Sequence, residues 1–423
     1  MSNSVHINPN ILNLKESATL KINTRVREMR QKGEDVIHFG FGQSPFPVHP
    51  KIVQSLRDHA DKKDYLSTKG LPQLRSNISE FYKENFNYDF DPENVLIGPG
   101  SKELIFQALF VLEGPVIVPA PSWVSYGPQV YSKGKQISVV KTQKKNNYRL
   151  QGEELSEFCK TLPESQKLLI LNSPNNPVGS VYTDKELEAI AEICRDQNII
   201  VISDEIYGLI DFTGERKKGI YHFYPEGTLV TGGISKSHSA GGYRMGFLAT
   251  SSHLNGVINA LSSLISETFS AVAAPIQYAA VGAFAKDSDI LDYINRCTAI
   301  HKQVSFYIYD RLNQLGIGCS KPEGAFYLLA DFNDFKLAIK EKLNISTSEE
   351  MAKHLLKTYN IAMLPGSDFY MDNDDLSFRI ATVDYDGANV IDVDHIRIDH
   401  HMPNIKKGIQ ALEHFVDQLC GKL

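Results

Sequence analysis

Short apolar runs alternate with helical stretches through the middle of the chain, and this alternation limits the fold more than any other feature. The helical stretches are Lys102–Leu112, Thr183–Asp196 and Leu254–Ser266. Strands that alternate with helices favour a largely parallel sheet with helices on both faces, so we predict an α/β fold. Ligands bind at the carboxyl ends of the strands in such sheets. The apolar runs, several of them bounded by Gly, Pro or Asn, are Val95–Ile97, Val116–Val118, Ile137–Val140, Leu168–Leu171, Ile199–Ile202, Leu229–Val230 and Phe247–Ala249.

The C-terminal part of the chain has a different pattern, typical of a smaller α+β domain. A long helical pattern from about Ile290 to Leu315 precedes a strand in KPEGAFYLLADF, a helix around Glu349–Tyr359, a strand in LSFRIAT and a final helix over about Asn404–Leu419. A chain of 423 residues is long enough for two domains of about 100–200 residues. We predict a large domain over residues 50–300 and a small domain over residues 301–423, and we expect the N-terminal segment 1–49 to pack with the small domain.

Composition excludes several classes of function. The net charge of −6 argues against a nucleic-acid-binding surface, because such surfaces concentrate Lys and Arg. The five cysteines form no CxxC pair, so neither a zinc site nor a disulfide framework is indicated. The N-terminus MSNSVHINPN has no apolar or Arg-rich targeting pattern, and no apolar run approaches the roughly 18 residues that span a bilayer. We predict a soluble, cytoplasmic protein with no nucleic-acid or membrane partner.

The most informative segment is GGISKSHSAGGYRMGFLAT, residues 232–250. Its small residues allow the backbone to approach a bulky ligand closely. Lys236 can attack an aldehyde once it loses its proton, and burial or a nearby cation lowers the pKa of a lysine. Arg244 offers a planar fork suited to a phosphate. The alternative is a glycine-rich surface loop with a solvated lysine.

Three further segments place polar residues where strands end. The segment IIVISDEIYGLIDF ends its apolar run at Asp204, followed by Tyr207. The segment LILNSPNNPVGSVYT leads from a strand through a Pro/Asn turn to a helix. The segment VLIGPGSKELIFQAL leads from a strand through a glycine turn to a helix N-terminus, which suits an anion. Solvated strand ends and plain strand-to-helix turns are the alternatives. We predict cis peptide bonds at Asn176–Pro177 and Ala120–Pro121.

The lysine segment resembles the S-x-S-K-x(5)-G-x-R-x-G signature of class I and II aminotransferases, which are fold type I pyridoxal-phosphate enzymes. The resemblance implies a Schiff base between Lys236 and pyridoxal 5'-phosphate, with Arg244 on the phosphate and Ser235 as a nearby hydroxyl. The chain departs from the family at Gly233, where a hydroxyl residue is often found, which puts one phosphate hydrogen bond in doubt. The resemblance also implies a mainly parallel seven-stranded sheet between helices, and a smaller α+β domain formed from both termini.

The other segments are similar to family elements in the same order along the chain. The D-x-x-Y element matches Asp204, as partner of the cofactor ring nitrogen, and Tyr207, at its phenolate oxygen. The N-P-x-G element matches Asn176, which implies contacts with the phenolate oxygen and the substrate carboxylate. The remaining implied cofactor contacts are Trp123, stacked on the ring, and Gly100, Ser101 and Lys102, around the phosphate.

Four residues are implied to act on the substrate or across a dimer. YLSTKGLPQLR resembles the segment whose tyrosine, here Tyr65, reaches the phosphate of the partner subunit, which predicts a homodimer with shared active sites. Arg379 matches the arginine that binds the substrate α-carboxylate, with a surface strand arginine as the alternative. Gly42 matches a glycine in the segment that closes over the substrate. Lys102 either meets the distal carboxylate of an acidic substrate or binds phosphate or solvent.

The resemblance implies an aminotransferase that moves an amino group between an L-amino acid and a 2-oxo acid, with aspartate or glutamate as a possible donor. The alternative is another fold type I enzyme: a decarboxylase, a β-lyase or an aminocyclopropane-carboxylate-type synthase, because the same cofactor contacts serve all of these. A non-catalytic regulator on this scaffold is a third hypothesis, and such regulators carry an added DNA-binding domain. The presence of Lys236, Asp204, Asn176 and Tyr207 together argues against it. Residues 384–404, with His395, His400 and His401, match no known metal cage, so we predict a solvated loop and no metal site.

Overall fold

The computed structural model describes residues 5–12, 14–214 and 218–421. The strands are β1 (Ile37–His38), β2 (Val95–Gly98), β3 (Val116–Ala120), β4 (Ile137–Lys141), β5 (Lys167–Asn172), β6 (Ile199–Asp204), β7 (Thr228–Gly233), β8 (Gly246–Thr250), β9 (Gly318–Cys319), β10 (Tyr327–Asp331), β11 (Ile361–Ala362), β12 (Leu364–Pro365) and β13 (Ser377–Ala381).

The α-helices flank these strands. They are α1 (Pro9–Leu12), α2 (Ala18–Gln31), α3 (Pro50–Asp58), α4 (Pro72–Phe86), α5 (Ser101–Val111), α6 (Tyr126–Ser132), α7 (Gly152–Cys159), α8 (Asp184–Asp196), α9 (Asn255–Ser266), α10 (Ala274–Ala283), α11 (Ser288–Gln314), α12 (Lys336–Leu343), α13 (Ser348–Tyr359), α14 (Ile398–His401) and α15 (Pro403–Cys420).

The predicted α/β fold is confirmed by a seven-stranded central sheet in the order β2-β8-β7-β6-β5-β3-β4. Only β8 runs antiparallel to its neighbours, and the other pairs are parallel. Every apolar run predicted as a strand in the middle of the chain lies in this sheet. Most side chains of the inner strands are buried on both faces, as expected of strands covered on both sides, whereas the edge strand β4 alternates buried and partly exposed residues.

Alternate residues of the central strands pack against helices on opposite faces. Leu168 and Ile170 of β5 join one apolar cluster, which includes residues of α5 and α9. Leu169 and Leu171 of the same strand join another cluster, which includes residues of α7 and α8. This period of two places the helices as two outer layers. The carboxyl ends of the parallel strands therefore meet at one edge, between the layers.

A second, four-stranded sheet in the order β12-β13-β10-β9 lies in the C-terminal part of the chain. Its strand pairs are antiparallel. β1 pairs in parallel with β11, with Ile37 opposite Ile361, so the N-terminal segment is hydrogen-bonded to the C-terminal region. The boundaries at residues 49 and 300 stay a prediction.

The turn between β5 and α8 corrects one predicted peptide bond. The cis bonds are Ala120–Pro121, as predicted, and Ser173–Pro174, so the prediction of a cis bond at Asn176–Pro177 is wrong. The backbone carbonyl of Asn175 accepts from the N–H of Gly179 at 2.8 Å, which closes a compact helical-type turn of trans peptides around Pro177.

The segment 384–404 packs on α11 through its backbone. Arg296 donates from Nε to the carbonyl of Ile391 at 2.9 Å, and Gln303 donates to the carbonyl of Ile396. Within the described ranges, no group of three or more His, Cys, Asp or Glu side chains could hold a metal ion. Within the same ranges, no helix is long and apolar enough to cross a membrane.

Candidate active site

A cavity of about 430 Å³ lies at the carboxyl ends of β5 and β6 and beside the loop that follows β7. Asn172 and Asp204 end neighbouring strands and are paired in register, so the sheet itself brings these two side chains together. The predicted site residues that line this cavity are Gly42, Gly100, Ser101, Lys102, Trp123, Asn176, Asp204, Tyr207, Ser235, Lys236, Arg244 and Arg379.

Tyr65 is the one predicted site residue that lies away from the cavity. It precedes α4, and 98% of its surface is exposed in a single chain. An aromatic side chain so fully exposed makes no packing contribution within this chain.

Lys236 follows β7 and points into the cavity, which excludes the solvated surface loop. Its Nζ donates a hydrogen bond to the carbonyl of Gly42 at 2.8 Å and lies 5.5 Å from the ring centroid of Tyr207. Burial lowers the pKa of the Lys236 amine, and the nearby cations of Arg379 and Arg244 lower it further. A larger share of this amine is therefore neutral, and nucleophilic, at a given pH than for a lysine in water.

Asp204 presents a carboxylate that is only 3% exposed. Its Oδ2 accepts from the Tyr126 hydroxyl at 2.7 Å, and Oδ1 lies 3.4 Å from the backbone N of Ile206. Burial raises the pKa of this carboxyl, while the Tyr126 hydrogen bond opposes the rise. Because both of these donors are neutral, a cationic partner in the cavity would stabilise the ionised form strongly.

Arg379 lies on β13 and is 1% exposed, so the surface alternative is wrong. Its Nη1 donates to Oδ1 of Asn176 at 3.1 Å, and its Nη2 donates to the carbonyl of Gly40 at 2.6 Å. Its Nε is buried and has no hydrogen-bond partner in the part of the chain that the structure describes. Burial lowers the pKa of the guanidinium. A buried cation with an unused donor is suited to bind a carboxylate that enters the cavity.

The glycine turn before α5 packs closely against the Arg244 guanidinium, and only a residue without a side chain fits there. Gly100 has a φ of +90°, and a Cβ there would lie 2.6 Å from Nη2 of Arg244. Arg244 donates to the carbonyls of Gly241 and Pro99 at 2.9 and 3.1 Å. α5 begins directly after this turn, at Ser101, so its first N–H groups have no helical acceptors. This corner combines a helix N-terminus with a guanidinium, which suits a phosphate.

Lys102 and Trp123 both line the cavity and contact each other. The Lys102 Nζ lies 5.1 Å from the Trp123 ring centroid. Burial lowers the pKa of Lys102, and the cations of Arg244 and Lys236 lower it further. The Lys102 ammonium therefore lies near other cations and has no carboxylate partner among the described residues, which favours binding of an anionic group.

The departure from the family at Gly233 has a steric basis. Gly233 lies opposite Gly246 in the β7–β8 pair. A Cβ at residue 233 would lie 2.8 Å from the backbone carbonyl oxygen of Met245, closer than side chains occur. A hydroxyl residue would therefore require the two strands to separate, so any phosphate contact here comes from other groups.

Sequence reasoning missed several residues that line the cavity. Asn172 could have been found, because it ends a predicted strand at the ligand-binding edge. Tyr327 lies at the start of β10, and its hydroxyl is 2.8 Å from that of Tyr207. Thr19 and Leu20 come from α2. No local pattern marks these last three residues, because tertiary packing alone brings them to the cavity.

Comparison with known proteins agrees with this geometry. A family model described as aminotransferase class I and II matches residues 34–389. The chain is 33% identical to an aspartate aminotransferase of Bacillus sp. (strain YM-2), over 84% of this chain and 90% of that protein. The chain belongs to the class I and II aminotransferase family. It is also 30% identical to an asparagine–oxo-acid transaminase of Streptococcus mutans, over 85% of this chain and 91% of that protein.

Solved structures confirm that this aminotransferase has the fold type I architecture. The aspartate aminotransferase of Thermotoga maritima superposes with a TM-score of 0.82 at 26% identity, covering 97% of this chain and 100% of that one. The Thermus thermophilus enzyme with maleate superposes with a TM-score of 0.85 at 24% identity, covering 97% and 100%. The predictions of family, fold class and pyridoxal-phosphate dependence are confirmed.

The cavity of this aminotransferase fits pyridoxal phosphate. The glycine turn before α5 and Arg244 could hold the phosphate, the buried Asp204 carboxylate could meet the ring nitrogen, and the Lys236 amine could bond the aldehyde carbon. These groups are an anion site, a buried acceptor and a nucleophile within one cavity. Arg379 remains free to bind a carboxylate of the substrate.

Proposed function

We propose that this aminotransferase takes the amino group of an acidic L-amino acid, such as aspartate, and passes it to a 2-oxo acid. The observation that carries the choice of donor is Lys102. The cavity is lined by the cations of Lys102, Lys236, Arg244 and Arg379. We assign Arg244 to the phosphate, Arg379 to the α-carboxylate and Lys236 to the aldehyde carbon. Lys102 is the lining cation that remains for a second carboxylate, and the name of the Bacillus relative supports the same donor.

Pyridoxal phosphate, when bound, supplies an aldehyde carbon for the amino group and a protonated ring that accepts the electrons of the Cα–H bond. We assign Asp204 to keep the ring nitrogen protonated, because its buried carboxylate gains an ionic partner in doing so. Tyr207 and Asn176 would hold the phenolate oxygen, and Trp123 would stack on the ring. Gly100, Ser101, Ser235 and Arg244 would surround the phosphate.

Lys236 is the residue that we assign to proton transfer. With its amine free, Lys236 would take the proton from the substrate Cα and deliver it to the C4′ carbon of the cofactor. The lowered pKa of Lys236 keeps the amine available as a base. Its hydrogen bond to the Gly42 carbonyl holds the amine beside the N-terminal segment that lines the cavity. Arg379, with Asn176, holds the α-carboxylate so that the Cα–H bond can face Lys236.

We further propose that the enzyme is a C2 homodimer in which Tyr65 completes the phosphate site of the partner subunit. The exposure of Tyr65 supports this, because an aromatic side chain without contacts in its own subunit is suited to an interface. The described N-terminal segment adds exposed apolar side chains, including Val5, Ile7 and Leu12.

The Lys102→Ala variant tests the choice of donor. We expect kcat/KM for aspartate to fall about ten- to hundredfold, because a hydrogen-bonded charge pair contributes about 1.5–3 kcal/mol. For alanine as donor, the change should stay within about threefold. Lys133→Ala is the matched control, because its Nζ also lies over an aromatic ring, that of Phe106, outside the cavity. Equal losses for both donors, or no loss for aspartate, would contradict the assignment.

The Tyr65→Phe variant tests the shared site. We expect it to stay dimeric in sedimentation equilibrium while its dissociation constant for pyridoxal phosphate rises about tenfold, since one hydrogen bond to a charged group is lost. Tyr131→Phe, at another exposed tyrosine, should leave both measurements unchanged. A monomeric wild-type protein with full activity, or unchanged cofactor affinity in Tyr65→Phe, would refute the proposal.

A further inference from the structure

Tyr126 contacts two residues of the proposed cofactor site without lining the cavity itself. It is the first residue of α6 and is fully buried. Its hydroxyl donates to Oδ2 of Asp204 at 2.7 Å. Its ring meets that of Trp123 edge to face, with centroids 5.3 Å apart and an interplanar angle of 86°. One side chain thus touches both the carboxylate and the aromatic ring that face the cavity.

The backbone around Tyr126 is fixed by hydrogen bonds on both sides. The N–H of Gly127 donates to the Tyr370 hydroxyl at 2.6 Å, and that hydroxyl also lies 3.3 Å from the carbonyl oxygen of Trp123. Gln129, one turn further along α6, donates from its side chain to the carbonyl of Lys102 at 2.9 Å. The Tyr126 hydroxyl is therefore held in place before any ligand binds, so little entropy is lost when it orients Asp204.

The chemistry of the pair fixes the direction of the hydrogen bond. Burial and the Asp204 charge raise the pKa of Tyr126 well above its ordinary value, so the phenol keeps its proton and donates it. A donor to the ionised carboxylate makes that carboxylate less basic. A less basic Asp204 would leave a shared proton on the ring nitrogen of the cofactor rather than on the carboxyl oxygen.

We propose that Tyr126 is a positioning residue that orients the Asp204 carboxylate and the Trp123 ring together, and that its hydroxyl favours the protonated ring nitrogen of the cofactor. This inference rests on the proposed role of Asp204 as partner of that nitrogen. The titratable groups that face the carboxylate are Tyr126, Lys236, Glu205 and Tyr207. Of these, Tyr126 is the one that donates a hydrogen bond to a carboxylate oxygen.

The test compares two ligands in the absence of substrate. One is pyridoxal phosphate, and the other is its analogue in which a CH group replaces the ring nitrogen. In Tyr126→Phe, we expect the dissociation constant for pyridoxal phosphate to rise about tenfold, equivalent to about 1.4 kcal/mol. The constant for the analogue should stay within about twofold, because the analogue has no ring nitrogen for Asp204 to meet. Tyr182→Phe removes another buried hydroxyl, one that accepts from the N–H of Leu150, and should change neither constant.

A spectroscopic measurement distinguishes the proposed role of Tyr126 from a purely structural role, because loss of packing alone would not change the protonation of the ring nitrogen. With cofactor labelled with nitrogen-15 in the ring, we expect the Tyr126→Phe signal to shift towards that of a neutral pyridine, and the Tyr182→Phe signal to match the wild type. Equal weakening of both ligands in Tyr126→Phe, or an unchanged nitrogen signal, would overturn the inference.

The Asp204→Asn variant separates this inference from the proposed role of Asp204. It should remove most of the preference for pyridoxal phosphate over the analogue. If it does so while Tyr126→Phe has no effect, the role of Tyr126 fails and that of Asp204 stands. If Asp204→Asn leaves the preference intact, both fail.

Discussion

Replacing Lys236 with alanine is expected to lower the kcat of transamination by at least about 10⁴-fold. The variant loses both the group that bonds the aldehyde carbon and the base that moves the Cα proton, and a positioned acid–base group alone contributes about 10²–10⁴. Stability should change little, because among the described residues the amine makes a single hydrogen bond, to the Gly42 carbonyl. Steady-state kinetics and circular dichroism of the purified variant measure the two effects separately. The visible absorbance of the bound cofactor should also be lost or displaced.

Lys236→Arg is the matched control for charge. It keeps a cation in the cavity, but a guanidinium stays protonated in proteins and serves neither as nucleophile nor as base. It should therefore remain as inactive as the alanine variant. An alanine variant with more than a tenth of wild-type activity, or an arginine variant that regains it, would exclude Lys236 as the acting residue.

Replacing Arg379 with leucine is expected to lower kcat/KM for every amino-acid donor by about 30- to 5,000-fold. Truncating one partner of a buried, hydrogen-bonded charge pair costs about 2–5 kcal/mol. Arg379 is buried, and its Nε has no partner until a carboxylate arrives. The cofactor dissociation constant should stay within about threefold, because the assigned cofactor contacts do not include Arg379 as a donor. Amines that lack a carboxylate should react as slowly with the variant as with the wild type.

Arg75→Leu is the matched control for removal of a buried arginine. Arg75 is also buried with an unpartnered Nε, but it donates to the carbonyl of Pro92 and to Glu93, away from the cavity. It should lower the melting temperature without changing the ratio of kcat/KM between amino acids and simple amines. If Arg379→Leu lowers activity towards amines and amino acids equally, it acts through the fold and not through the α-carboxylate.

Much of the fold could be predicted because its signals are local. Each central strand is a short apolar run, and burial on both faces makes such runs continuous in sequence. The residues at the ends of these runs, such as Asp204, could then be placed at one edge of the sheet. The roles proposed for Lys236, Arg244 and Asn176 came from motif resemblance, since spacing alone left a solvated loop or a plain turn as alternatives.

The rest depended on contacts between distant parts of the chain. β1 and β11 are two residues each and carry no periodicity, and only their pairing makes them strands. Tyr327 and Leu20 reach the cavity through packing of the C-terminal sheet and of α2. The bond before Pro177 is trans because of the turn that Asn175 and Gly179 close, which the dipeptide alone does not reveal. Tyr126 was missed for the same reason, since its partner lies 78 residues away in sequence.

An isotope measurement tests amino-group transfer from an acidic donor most directly. The purified protein with pyridoxal phosphate is incubated with nitrogen-15 aspartate and 2-oxoglutarate, and the products are analysed by mass spectrometry. We predict nitrogen-15 glutamate and oxaloacetate in equal amounts, and neither product with Lys236→Ala. Release of carbon dioxide or free labelled ammonia in place of labelled glutamate would contradict the claim.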